Sequence, residues 1–284
     1  MVMKKILVPC DFSDSARQAY KFAIDIAAAN SGEVIVVKII DLTPVYVESL
    51  DSNPYYLHLT SILKELEDDA SNDFENLQKS VDANHVKVTF VTEQGTLLQT
   101  LLNQIHKQEA DLIVMGTHGV HGLKEFLIGS NTEKIVQSAP IPVFVIHHAQ
   151  SVSNIKNIIF PTEIDLTQNN LIEKIKALQA FFNATLHLLH IKTPSNPQKT
   201  EELKMSLQNM ARFYNLTDYT VNIREQNDEE DGILKFATDL SHSIIAMGTH
   251  GNTGLKHFMS GSIAESVANH GKETIWTYSS GAQQ

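Results

Sequence analysis

The feature that most constrains this chain is that it repeats itself. From Met115 it reads MGTHGVHGLKEFLIGSNTEKIVQSAPIPVFVI, and from Met247 it reads MGTHGNTGLKHFMSGSIAESVANHGKETIWTY. Gly116, Gly119, Gly122, Gly129 and Ser130 recur as Gly248, Gly251, Gly254, Gly261 and Ser262, each 132 positions further on. The starts of the halves also match: KKILVPCDFSD, from Lys4, aligns with KNIIFPTEIDL, from Lys156, at an offset of 152. Ile39 and Ile191 keep that offset, whereas Glu93-Gln94 and Glu225-Gln226 are back at 132. Such self-similarity means one folding unit used twice. The 284 residues are therefore expected to divide into modules at 1–150 and 151–284, with the polar HHAQSVSNIK as linker. The change of offset gives the first module about 20 more residues after its second apolar run, at LTPVYVESLDSNPYYLHLTS. Those residues can form a flap, a partner surface, or a longer loop and helix extension with no special role.

Hydrophobic periodicity supplies the elements. In the first half, Lys5–Pro9 is a buried strand and Ser15–Asn30 a helix with Asp14 as its N-cap. Val34–Ile40 is a second strand, His58–Ser80 a helix, Val86–Val91 a strand, and Thr96–Lys107 a helix. Leu112–Met115 is a strand followed by a glycine loop; Ser130–Ser138 is a helix and Pro142–His147 the last strand. The second half repeats the scheme, with strands at Asn157–Phe160, Thr185–Ile191, Thr220–Arg224, Ser243–Met247 and Thr274–Tyr278. Alternating strands and helices imply an α/β fold: two tandem doubly wound, mostly parallel five-stranded sheets. The apolar PVFVIH and ETIWTY can pair within the chain, covering two sheet edges as a pseudo-dimer; a homodimer stays open as well.

Composition narrows the function. The net charge is -11, with no dense Lys/Arg stripe, so general attraction for nucleic acid is not expected. No apolar run is long enough to span a bilayer, and the N-terminus lacks the pattern of a secretory signal. The single cysteine, Cys10, suits a reducing cytoplasm.

In an open parallel sheet, ligands bind beyond the carboxyl ends of the strands, where the winding direction reverses. Two segments reach such ends: Pro9-Cys10-Asp11, and Gly116-Thr117-His118-Gly119 followed after nine residues by Gly129-Ser130. Glycines let main-chain N–H groups approach an anion, and a helix opening at Ser130 adds free N–H groups and a favourable dipole. The loop lacks the Gly-Lys-Ser/Thr of a Walker A motif, and it does not directly follow the first strand as a G-x-G-x-x-G fingerprint would.

The spacing G-x-x-G-x9-G-S, present twice, resembles the ATP-binding signature of the universal stress protein family, and the likeness covers the whole chain. The resemblance implies the adenine nucleotide alpha hydrolase-like fold of that family and ATP, with Mg2+, as ligand. It places Pro9 and Asp11 near the ribose and a phosphate-bound metal, with the Ile39 backbone against the adenine. Met115 and Gly116 fall beside the nucleotide, and Gly119, Gly129, Ser130 and Asn131 form the phosphate cradle with Thr132 nearby. The second module keeps Ile191, Met247, Gly248, Gly251, Gly261, Ser262 and Ile263, but Glu163 stands where Asp11 does and Ala264 where Thr132 does. The implied role is regulatory, in a stress response, through a protein partner still to be identified. A slow ATPase or phosphotransferase, or a scaffold with a nucleotide site in the first module only, are the alternatives.

Other readings compete at single residues. Ser130 with Glu133, and Ser262 with Glu265, have the spacing of a capping box, which needs no ligand. Asp11 can simply cap the following helix, Cys10 can be a small buried residue, and Met115 and Met247 can be core. The pairs His118/His121 and His147/His148 lack acidic or cysteine partners at metal-site spacing. No nucleophile–base arrangement stands out, so no catalytic residue is expected.

Overall fold

A computed structural model describes residues 3–41, 55–83, 85–117, 130–194, 198–249 and 274–279. Short runs of apolar, largely β-branched residues become strands, and the segments of helical period between them become helices. The first half runs β1 (Lys5–Pro9), α1 (Asp14–Asn30), β2 (Glu33–Ile40), α2 (Tyr55–Ser80), β3 (Lys87–Gln94), α3 (Leu97–Gln108), β4 (Leu112–Gly116), α4 (Ser130–Ser138) and β5 (Val143–Ile146). After a 3-10 turn at Val152–Asn154 come β6 (Asn157–Pro161), α5 (Asn169–Phe182), β7 (Thr185–Lys192), α6 (Thr200–Phe213), β8 (Tyr219–Glu225), α7 (Glu229–Asp239), β9 (Ser243–Gly248) and β10 (Thr274–Tyr278). These are the expected elements, with ends shifted by a few residues. Of the extra stretch in the first half, residues 42–54 lie outside the described residues, and α2 takes up the chain from Tyr55.

The cap of α1 differs from expectation. Ser13, not Asp14, is the N-cap: its backbone is extended (φ -62, ψ 166) and its hydroxyl accepts from the Ala16 N–H at 3.3 Å. Asp14 is the first helical residue, where a carboxylate is still favoured by the helix dipole.

Each half lays its strands in the doubly wound order, β3-β2-β1-β4-β5 and β8-β7-β6-β9-β10, parallel throughout. The halves do not stay separate sheets. β5 and β10 pair antiparallel, with Phe144 opposite Trp276, so that one sheet of ten strands crosses the whole chain. The pairing expected of the two last strands is thus realised within the chain. Trp276 and Phe144 are fully buried; Phe22 of α1 meets Phe144 edge-on at 5.2 Å, and Phe182 of α5 meets it at 6.3 Å. Helix α1 also grips the linker: Gln18 Oε1 accepts from the Ala149 N–H and Asp25 Oδ2 from the Val152 N–H.

A polar chain crosses β6, β7 and β8. Asn157 Nδ2 donates to the Ser241 carbonyl, so its Oδ1 faces His187 and accepts from Nε2 at 3.0 Å. Nδ1 of the neutral ring then accepts from the Thr220 hydroxyl at 2.8 Å, and that oxygen accepts from Asn222 Nδ2. Burial pushes the His187 pKa down, opposed by the Asp218 carboxylate. A histidine depressed in the folded state binds fewer protons than in the unfolded chain. Stability should therefore begin to fall as pH drops past the unfolded value of about 6.5, and the loss is complete below the folded value. Urea unfolding of the chain and of His187→Gln across this range should show a steeper pH dependence in the parent; parallel curves would remove His187 from the account.

Candidate functional site

Strand pairing stops short at both switch points of the sheet. β1 pairs with β4 only at Ile6↔Leu112 and Leu7↔Ile113, although β1 runs on to Pro9 and β4 to Gly116. β6 and β9 likewise stop pairing at Ile159↔Ile245. Beyond those points the ladder between the two strands is not continued, and at such a switch point a doubly wound sheet leaves a crevice outside its strand ends.

On one wall of the first crevice is the turn after β1. Pro9 is buried beside Val37 of β2, and the Cys10 N–H donates to the Val37 carbonyl. Phe12 takes a left-handed backbone (φ 64), a conformation uncommon for a bulky side chain and typically found where the surroundings impose it. This brings the chain back so that Asp11 Oδ1 accepts from both the Ser13 N–H (3.1 Å) and the Ser13 hydroxyl (2.6 Å). Asp11 thus does not cap α1 itself; it orients the residue that does. Cys10 is the small buried residue considered above: burial raises its pKa to about 12, so the thiol stays protonated.

The other wall is the end of β4. Met115 is buried in the core under α3 and α4. Gly116 lies so close to α1 that a Cβ there would fall 2.7 Å from the Ser15 carbonyl carbon and 2.8 Å from its oxygen. Thr132, buried in the first turn of α4, donates its hydroxyl to the Gly116 carbonyl at 3.2 Å. That bond ties the start of α4 to the end of β4. Ser130 opens α4 and Asn131 is exposed in its first turn. Gly119 and Gly129, with His118 and His121, lie outside the described residues. Ile39, near the end of β2, packs at the margin of the core beneath α3. The structure therefore brings Asp11, Gly116 and Thr132 to the same open end of the sheet, through α1 and α4.

The second crevice copies the backbone but not the chemistry. Ile164 has the left-handed φ of 64 that Phe12 has. Here Thr162 Oγ1 accepts from the Ile164 N–H, and the carboxylate–hydroxyl pair moves along to Asp165 and Thr167. Glu163 is exposed. It lines, with His190, Ile191, Glu229 and Ile233, a cavity of about 30 Å3, room for a water molecule or two. His190 is anchored by Nδ1 on the Thr162 carbonyl at 2.9 Å. Met247 is buried, and a Cβ on Gly248 would meet the Leu171 side chain at 2.7 Å, the nearest contact among the described residues. Gly251, Gly261, Ser262 and Ile263, with Ala264 and Glu265, lie outside the described residues.

Among the described residues no group of three His, Cys, Asp or Glu side chains is placed to hold a metal ion; the His147 and His148 rings lie 4.8 Å apart, tilted by 38°, with His147 Nδ1 3.4 Å from the Thr117 hydroxyl. Also among the described residues, no helix is long and apolar enough to cross a membrane. The left-handed turns at Phe12 and Ile164 escaped the sequence reading because neither residue is a glycine or asparagine, the usual marks of positive φ.

Comparison with known proteins finds the universal stress protein family model matching twice, over residues 3–147 and 154–277. The chain belongs to the universal stress protein family. A universal stress protein of Methanocaldococcus jannaschii is 32% identical over 143 residues, 50% of this chain and 81% of that one. A universal stress protein of Synechocystis sp. is 22% identical over 296 residues, 97% of this chain and all (100%) of that one, so the tandem arrangement has a full-length counterpart. The crystal structure of a universal stress protein from Archaeoglobus fulgidus superposes with a TM-score of 0.73 at 18% identity, covering 99% of this chain and 100% of that one, which shows the shared fold.

Proposed function

We propose that the first module binds ATP with Mg2+, and that the bound nucleotide fixes the conformation this universal stress protein presents to a partner in a cytoplasmic stress response. The observation that carries the reading is the bond from Thr132 to Gly116: it draws the first turn of α4 to the end of β4, beside the Asp11 turn. A helix N-terminus there favours phosphate. The Asp11 carboxylate, already held as an acceptor by Ser13, suits a ribose hydroxyl or a phosphate-bound metal. The phosphates would lie on the main chain of the loop ending in Gly129-Ser130. We take the modules to be 1–150 and 151–284. The second site is the poorer one: Glu163 is exposed, the neighbouring cavity is small, and Ala264 cannot make the Thr132 bond. No side-chain arrangement in the described crevice favours hydrolysis over binding.

Thermal unfolding with and without Mg-ATP is the direct test. A ligand at 100 times its Kd stabilises the native state by about 2.7 kcal/mol, so the melting temperature should rise. In Gly129→Val, whose side chain crowds the loop, the rise should vanish. Native mass spectrometry then counts nucleotides: one per chain assigns the first module alone, and two extends binding to the second. No retained nucleotide together with no thermal shift would overturn the proposal.

A further inference from the structure

We propose that the free edge of β8, with the cleft beside α7, is a docking groove for an extended peptide segment rich in basic side chains. β8 is the last strand of the sheet, and no described strand pairs its outer edge. Its register with β7 is unbroken from Leu186↔Tyr219 to Lys192↔Glu225, and YTVNIRE contains no proline. Edge strands are commonly blunted by a bulge, a proline or charged side chains; this one has no bulge and no proline, and its charges, Arg224 and Glu225, stand together at its end.

A cleft of about 680 Å3 lies beside it, along α7. Arg224, near the end of β8, and Gln226, just beyond it, line the cleft together with Asp228, Glu230, Asp239 and Phe236. With Asp231 the cleft holds four carboxylates against two cations, and both cations are engaged. Lys235 pairs with Asp231 at 2.6 Å, and the Arg224 guanidinium lies over the Phe236 ring at 5.2 Å. The local field is therefore negative and favours a cationic segment.

The fold alone does not require these acids. Asp228, Glu230, Asp231 and Asp239 correspond, 132 positions earlier, to Thr96, Leu98, Gln99 and Lys107 on the equivalent helix of the first half. Acids in the first turn of α7 stabilise that helix, and Asp228 caps it by accepting from the Glu230 and Asp231 N–H groups. Asp239, in the last turn, sits against the dipole and gains nothing from it. A strand laid along β8 would combine main-chain pairing for affinity with an acidic wall for specificity.

The test is fluorescence anisotropy of a short labelled peptide of alternating lysine and valine, titrated with the full chain. Saturable binding is expected. Methylating the peptide amides along one edge should weaken it about tenfold, since it removes the pairing groups, while methylating the other edge should leave it unchanged. The double variant Glu230→Gln/Asp239→Asn should weaken binding about fivefold; it removes one acid that the helix dipole favours and one that it disfavours, so the melting temperature should shift little. No saturable binding, equal effects from the two methylation patterns, or equal binding of a glutamate–valine peptide would each overturn the proposal. So would self-association of the chain that the double variant abolishes, which would assign the groove to a second copy.

Discussion

Gly116→Ala is expected to cost about 3 kcal/mol and to disable the first site, while Gly248→Ala, at the equivalent position, should cost about 1 kcal/mol or less. The two glycines look interchangeable in the repeat, but they face different neighbours. A methyl at 116 would meet the Ser15 main chain at 2.7 and 2.8 Å. Ser15 belongs to the first turn of α1, which Ser13 caps and Asp11 orients, so relief requires moving the helix, the strand, or the turn that forms the site. At 248 the obstacle is Leu171 Cδ2, with the next atoms at 3.8 Å, and a leucine terminus can rotate away. Urea unfolding of both variants measures the difference, and nucleotide titration of Gly116→Ala measures the site. Equal losses of stability would show that the Ser15 contact does not govern.

Trp276→Ala should cost about 3–5 kcal/mol and should also split unfolding into two transitions. Trp276 is fully buried at the seam, opposite Phe144, onto which Phe22 and Phe182 also pack from the two halves. Removing the indole opens a cavity where the two modules are coupled, so each is left to melt nearer its own stability. Trp276→Phe is the control. The indole Nε1 is buried with no partner among the described residues, so phenylalanine gives up area but also removes an unsatisfied donor. It should cost less than about 1.5 kcal/mol and keep a single transition. Calorimetry distinguishes the cases; a single transition at the parent's midpoint in Trp276→Ala would refute the seam as the source of cooperativity.

Much of this protein is written in local pattern. Apolar runs such as KILVP and TIWTY become strands, and the duplicated Met-Gly-Thr-His-Gly marks the ends of β4 and β9, because those signals depend on a few neighbouring residues. Other features depend on what meets across the fold. Ser13 displaces Asp14 as the cap because of how the chain leaves β1. Phe12 and Ile164 adopt positive φ against their own preference because the strand must turn into a helix there.

The amino-acid order determined the two modules, their strands and the ends of the fourth strands, since repetition and periodicity survive without any coordinates. Only the tertiary structure decided that the halves fuse into one ten-stranded sheet. It alone placed Gly116 against main chain and Gly248 against the Leu171 side chain, and left β8 with no described strand on its outer edge, beside an acidic cleft. Those outcomes depend on which surfaces lie within a few ångströms of each other, and packing distances between residues far apart along the chain leave no periodic trace in it.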